Sequence, residues 1–173
     1  MFAVPEFLVL VLLPAALIAA AGWDLASYTI PNLIPAGLAA GFAVFALAAR
    51  LPVSGLELHL LAGGIGLIIG FVLFVGGLAG GGDAKLFAAA CLWFGVSDLL
   101  QYALAASLFG GGLTLAILMF RSLPLPAALS SQNWIMRLHD RQAGIPYGVA
   151  LAAGAFAVLP YTEIFRANLH GAL

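Results

Sequence analysis

The chain has 173 residues, 64% of them hydrophobic and 8% charged, with a mean hydropathy of +1.15. So few charges cannot cover the surface of a water-soluble domain, and the composition specifies an integral membrane protein. A net charge of −1 offers no basic field for nucleic acid, and a lone cysteine, Cys91, excludes a disulfide framework within one chain.

The first apolar run is Phe7–Trp23. Glu6 precedes it and no Lys or Arg does, so it reads as a first membrane helix with its amino terminus outside, rather than as a leader cut at Ala20-Ala21-Gly22. Asp24 ends the run, and Ile30-Pro31-Asn32 follows closely. Pro31 disfavours helix at Ile30 and can open a turn or the next helix. Run two is Leu33–Ala49, ended by Arg50, Pro52 and Ser54. Run three, Leu56–Leu78, is long enough to cross about 30 Å of hydrocarbon. Gly63, Gly64, Gly66 and Gly70 within it suggest close helix packing.

A glycine-rich break follows, Gly76-Gly77-Leu78-Ala79-Gly80-Gly81-Gly82, leading into Asp83-Ala84-Lys85. Ionisable groups close to a bilayer are costly and are functional by default. Run four, Ala84–Val96, covers about 20 Å as helix, so either it pairs with a thinned bilayer or Asp83 lies below the membrane surface in a wet cavity, the second of which suits a reactive carboxylate. Ser97-Asp98 is the expected turn, and run five is Leu99–Phe120. Arg121–Ala143 is the one sizeable polar segment, and its Trp134-Ile135-Met136 and Leu138 suit a membrane surface. Run six spans about 145–165 and opens with Ile145-Pro146-Tyr147-Gly148. His59, His139 and His170 show no metal-ligand spacing, and no cofactor or metal is expected.

The expectation is a single polytopic all-α domain over residues 1–173 with about six transmembrane helices. Counting crossings puts Asp24, Asp83, the polar segment and Pro146-Tyr147-Gly148 on one face. That face carries Lys85, Arg121, Arg137 and Arg141, against Arg50 and Arg166 opposite, which points it to the cytoplasm.

Two carboxylates brought together do not both ionise easily, so one keeps its proton while the other acts as base. Such a pair can activate a water for attack on a peptide carbonyl and then protonate the leaving amine. Asp24 and Asp83 are the candidates. Each also has a plainer reading: Asp24 as an interfacial carboxylate that stops a span, Asp83 as an N-terminal cap or dipole partner. Lys85, two positions from Asp83, does not share its helical face and suits a headgroup anchor as well as a role at the site. Pro31 and Asn32 read as a turn or as shapers of the Asp24 loop. Pro146 and Gly148 suit close packing at the start of run six, and Tyr147 either an interfacial anchor or a hydrogen bond near the site.

These islands together resemble the type IV prepilin peptidases, aspartic proteases of the inner membrane marked by a G-x-G-D signature. Here it reads Gly80-Gly81-Gly82-Asp83, extended by Ala84-Lys85-Leu86. Asp24 with Ile30-Pro31-Asn32 resembles the family's first aspartate region, and Pro146-Tyr147-Gly148 its proline–glycine motif near the last span. Ser27-Tyr28-Thr29 lacks the basic character usual after the first aspartate. The chain resembles the short form associated with Flp-type tight-adherence pili. It lacks the cysteine-bearing insert of the long, N-methylating members, and methylation is not part of the expectation. The resemblance implies a bacterial inner-membrane endopeptidase that removes a short basic leader from a prepilin at the cytoplasmic face. It implies a substrate chain passing close to Gly80 and Gly82. Two rival readings use the same residues: a small proton- or ion-coupled carrier with Asp24 and Asp83 as ion sites, and a non-catalytic assembly subunit with glycine-rich packing surfaces.

Overall fold

A computed structural model describes residues 3–126 and 132–172; residues 127–131 of the polar segment, and the side chains of residues 170–172, lie outside the described set. Among the described residues every regular element is a helix, and there is no strand. α1 is Val4–Ser27, α2 Leu33–Ala48, α3 Val53–Val75 and α4 Gly81–Ser122. α5 is Asn133–His139 and α6 Tyr147–Val158, which runs through a 3-10 turn, Leu159–Tyr161, into α7, Glu163–Ala172. α1, α3 and α4 are each long and apolar enough to cross a membrane, as is the bent pair from Tyr147 to Leu169 if taken as one span; α2 is shorter. This architecture is compatible with a membrane protein.

α1 carries Pro14 in its interior, which removes a backbone donor and crowds the preceding turn. The helix accommodates it with a π-helical stretch at Leu8–Leu12, directly upstream. α1 ends where Tyr28 turns left-handed (φ 56°) and donates its N–H back to the Asp24 carbonyl at 2.7 Å.

α4 is a hairpin, not a rod. On a straight helix Phe87 and Tyr102 would stand roughly 22 Å apart. Their rings stack at 5.3 Å, and Phe94 stacks on Tyr102 at 4.6 Å. The chain reverses at Gly95 (φ 68°, ψ 179°), so the limbs 81–94 and 96–122 run back to back. The reversal thus falls two residues before the expected Ser97-Asp98 turn. The reason is steric: that backbone region is essentially restricted to glycine. A Cβ there would also meet the His59 ring at 3.0 Å. His59 closes the hairpin apex by hydrogen bonding the Leu92 carbonyl at 2.9 Å.

α3 lies against the first limb of α4 with its glycines at the seam. A Cβ on Gly66 would stand 2.8 Å from Cys91, and one on Gly70 would stand 2.9 Å from the Ala84 backbone. Gly64 does not take part; it faces open space. α6 approaches the second limb as closely, through Gly154 against Ala105 and Ala106. Phe42, Phe45 and Trp93 fill the space between α2 and α4, and the Trp93 indole donates to the Leu38 carbonyl at 2.9 Å. The outer faces carry exposed Ile18, Leu47, Ile68, Val72, Leu104 and Leu108, the composition a lipid-facing surface requires.

Run six departs from a single long helix. At Thr162 the axis bends by 60°, and the Thr162 hydroxyl accepts the Phe165 N–H at 3.2 Å. Pro160 supplies no donor to continue the helix, and the hydroxyl caps the next one instead.

Candidate active site

Alternate helix ends meet at one end of the bundle: the end of α1, the start of α4, the end of its second limb, and the start of α6. Asp24 sits on the last turn of α1 and is only 4% exposed. Its Oδ2 accepts the Gly148 backbone N–H at 2.6 Å. That donor is free because Gly148 lies in the first turn of α6, where backbone N–H groups have no partner within the helix. Pro146 precedes it as a fully buried start to the helix.

Asp83 occupies the first turn of α4. Its Oδ2 accepts the Gly80 N–H at 3.1 Å, so it does cap the helix it begins. Oδ1 is buried, and no described residue donates to it. Asp83 borders a cavity of about 360 Å³ whose other walls are largely apolar, among them Ala84, Phe87, Gly110, Tyr147 and Ala150.

Ile30 lies between the two aspartate segments. Just ahead of Pro31 and 7% exposed, it packs against both Gly82 and Gly148. A Cβ on Gly82 would be 3.1 Å from Ile30 Cβ; one on Gly148 would be 2.9 Å from both Ile30 Cδ1 and Asp24 Oδ2. Ile30 thus brings the segments that carry Asp24 and Asp83 together, since Gly148 meets both Asp24 and Ile30 while Gly82 meets Ile30. Two acids so placed can exchange protons with a water or an amide held between them.

The two glycines of the signature lie in tight surroundings. The space left by Gly82 is filled by Ile30, and that beside Gly80 by the Asp83 carboxylate, whose Oδ2 lies 2.9 Å from where a Cβ would stand. Lys85 points away from Asp83, and its Nζ donates to Asn32 Oδ1 at 2.8 Å. Lys85, Asn32 and the half-buried Pro31 thus form a second cluster beside the aspartates. Tyr147 lines the Asp83 cavity, with its hydroxyl 3.4 Å from Thr114 Oγ1.

Sequence reading counted Arg121 only as a surface charge, yet it is 6% exposed. Its Nε donates to the Leu138 carbonyl and its Nη2 to the Gly144 carbonyl, both at 2.8 Å. It thereby anchors the loop that delivers Pro146 and Gly148. Arg137 reaches the Ala26 carbonyl at 3.4 Å, tying α5 under the end of α1. Tyr28 lies beside Arg121; burial pushes its hydroxyl above the usual range while the guanidinium pulls the other way. A phenol so shifted stays neutral at physiological pH and keeps its proton to donate. The only hint in the sequence was an arginine in the last turn of an apolar helix, ahead of the polar segment.

A family model described as the type IV leader peptidase family matches residues 11–115, more than half of the chain. The match contains Asp24, Pro31, Asn32, Gly80, Gly82, Asp83 and Lys85 and ends before Pro146. No curated protein and no solved structure matches.

Proposed function

The chain belongs to the type IV leader peptidase family, and on that premise we propose that it is an aspartic endopeptidase that removes the basic leader from type IV or Flp-type prepilins. The observation that carries the proposal is that the segments bearing Asp24 and Asp83 converge on Ile30, with Asp83 on the wall of an apolar cavity.

In this reading one carboxylate takes a proton from a water between the pair. The resulting hydroxide oxygen bonds to the carbonyl carbon of the scissile peptide. The protonated partner hydrogen-bonds the developing oxyanion. A proton then passes to the leaving nitrogen as the C–N bond breaks, giving a new carboxylate and a new amine. Gly148 holds Asp24 through Oδ2, and Gly80 holds Asp83 through Oδ2, so each acid has a fixed orientation and one further oxygen. Fixed donors of this kind need no reorganisation during the reaction. Gly80, Gly82, Pro31, Asn32, Lys85, Pro146, Tyr147 and Gly148 are shaping residues in this scheme, with Tyr147 on the cavity wall.

We count six crossings, with α2, the two limbs of α4, and α6 each taken as one. The aspartate end then faces the cytoplasm of a bacterial inner membrane. Support comes from charge: Lys85, Arg121 and Arg137 all make contacts at this end, which is the excess of basic residues expected on the inner side. A substrate helix can remain in the bilayer while its leader boundary reaches the acids.

The deciding experiment is co-expression with candidate prepilins, read by mass spectrometry of the pilin. Leader removal is expected from the wild-type chain. It should vanish with Asp24→Asn and with Asp83→Asn while each variant still inserts. Cleavage that survives either change removes that residue from the pair.

A further inference from the structure

Separate from the Asp83 cavity, α2, α3 and the first limb of α4 line a second, open groove of about 520 Å³. That volume lies within the range of ligand sites, roughly 300–1,000 Å³. Its mouth is polar and its length apolar. Asn32 and Lys85 stand at the mouth, and the walls are Ala36, Ala39, Gly64, Ala88 and Leu92, with neighbours of the same character. We propose that this groove binds an anionic phospholipid, with the phosphate on Lys85 and an acyl chain along the small-residue walls.

Three observations carry this. Lys85 is exposed, and its hydrogen bond goes to a neutral amide, so its charge is not offset there. An ammonium has three donors, and one used on Asn32 leaves two for phosphate oxygens. The apolar wall then begins directly below the charge. From Lys85 to Leu92 the helix advances about 10 Å along the groove, which in the crossing order proposed above runs inward from the membrane surface as an acyl chain does below its headgroup. Finally, Gly64 marks the groove as open space: a Cβ there would meet nothing within 4 Å, whereas one on Gly63 would meet Leu92 at 3.1 Å. Charge decides the class of occupant. A basic peptide would meet like charge at Lys85. A zwitterionic lipid brings its own ammonium beside the phosphate, and an anionic lipid does not.

The site does not depend on the peptidase reading, and its test reads lipid rather than cleavage. The purified protein is equilibrated in mild detergent with equal amounts of phosphatidylglycerol and phosphatidylcholine, and retained lipid is counted by native mass spectrometry. The wild-type chain is expected to favour phosphatidylglycerol about fivefold, the effect of one lysine near anionic lipid. Lys85→Gln should abolish that preference. Gly64→Leu and, from the opposite wall, Ala39→Phe should each lower retention of both lipids while the melting temperature holds. A wild-type chain without preference, a preference that survives Lys85→Gln, or retention unchanged by both wall substitutions would overturn the proposal.

Discussion

The backbone N–H of Gly148 donates to Oδ2 of Asp24 at 2.6 Å, across 124 positions of chain. Glycine is required there for space, because a Cβ at 148 would lie 2.9 Å from that oxygen and 3.0 Å from Asp24 Cβ. Gly148→Ala must therefore push α6 away from α1 or turn the carboxyl group. Leader removal should fall by about tenfold or more, the equivalent of roughly 1.4 kcal/mol in the barrier. The check is cleavage of a co-expressed prepilin at matched levels of inserted protein.

The two signature glycines should fail by different routes. In Gly80→Ala the new methyl group meets Asp83 Oδ2, the far end of a side chain that can swing away. The fold should hold while cleavage drops. In Gly82→Ala it meets Ile30 Cβ at 3.1 Å and the Ile30 backbone N at 3.3 Å, which cannot swing. Cleavage and thermal stability should fall together, with a loss of folding stability of about 1–3 kcal/mol for an overpacked contact. A Gly80→Ala protein with full activity would break the link between this hydrogen bond and the orientation of Asp83.

Gly95 should be the most sensitive position in the α4 hairpin. Gly95→Ala places a side chain at φ 68° and ψ 179° and against the His59 ring. A loss of about 1–3 kcal/mol is expected from backbone strain alone. Gly37→Ala is the matched control, since it lies within α2 and a Cβ there meets nothing within 4 Å. That change should be neutral or slightly stabilising. Thermal unfolding in detergent compares the two.

Arg121 should matter through the loop it anchors. Arg121→Met leaves the Leu138 and Gly144 carbonyls without their donor. Each such loss is worth about 1–3 kcal/mol where the group stays buried. Limited proteolysis within the segment that follows α4 should quicken, and leader removal should fall. Arg121→Lys should rescue in part, because one ammonium cannot reproduce a planar fork aimed at two carbonyls.

How much of this was legible without coordinates follows from what each feature depends on. Composition and run length are local properties, so a helical, membrane-compatible chain and the rough limits of each helix could be read directly. Counting runs puts Asp24, Asp83 and Gly148 on one face as an expectation, and the contacts that bring their segments together are the Gly148–Asp24 hydrogen bond and Ile30. The turn in α4 was misplaced because a polar pair, Ser97-Asp98, is a weaker determinant than one residue able to adopt φ 68°. The bend at Thr162 was missed because apolar composition continues past it. Only the tertiary structure decided what each group touches. Ile30, an ordinary apolar residue in sequence, fills the space left by Gly82 and Gly148. Arg121, apparently a surface charge, is buried against two carbonyls, and Lys85 turns from its neighbour Asp83 to Asn32. The physical reason is that hydrophobic burial is nearly non-directional and can be read from residue type. Hydrogen bonds and steric fit depend on distances of a few tenths of an ångström between segments far apart in the chain.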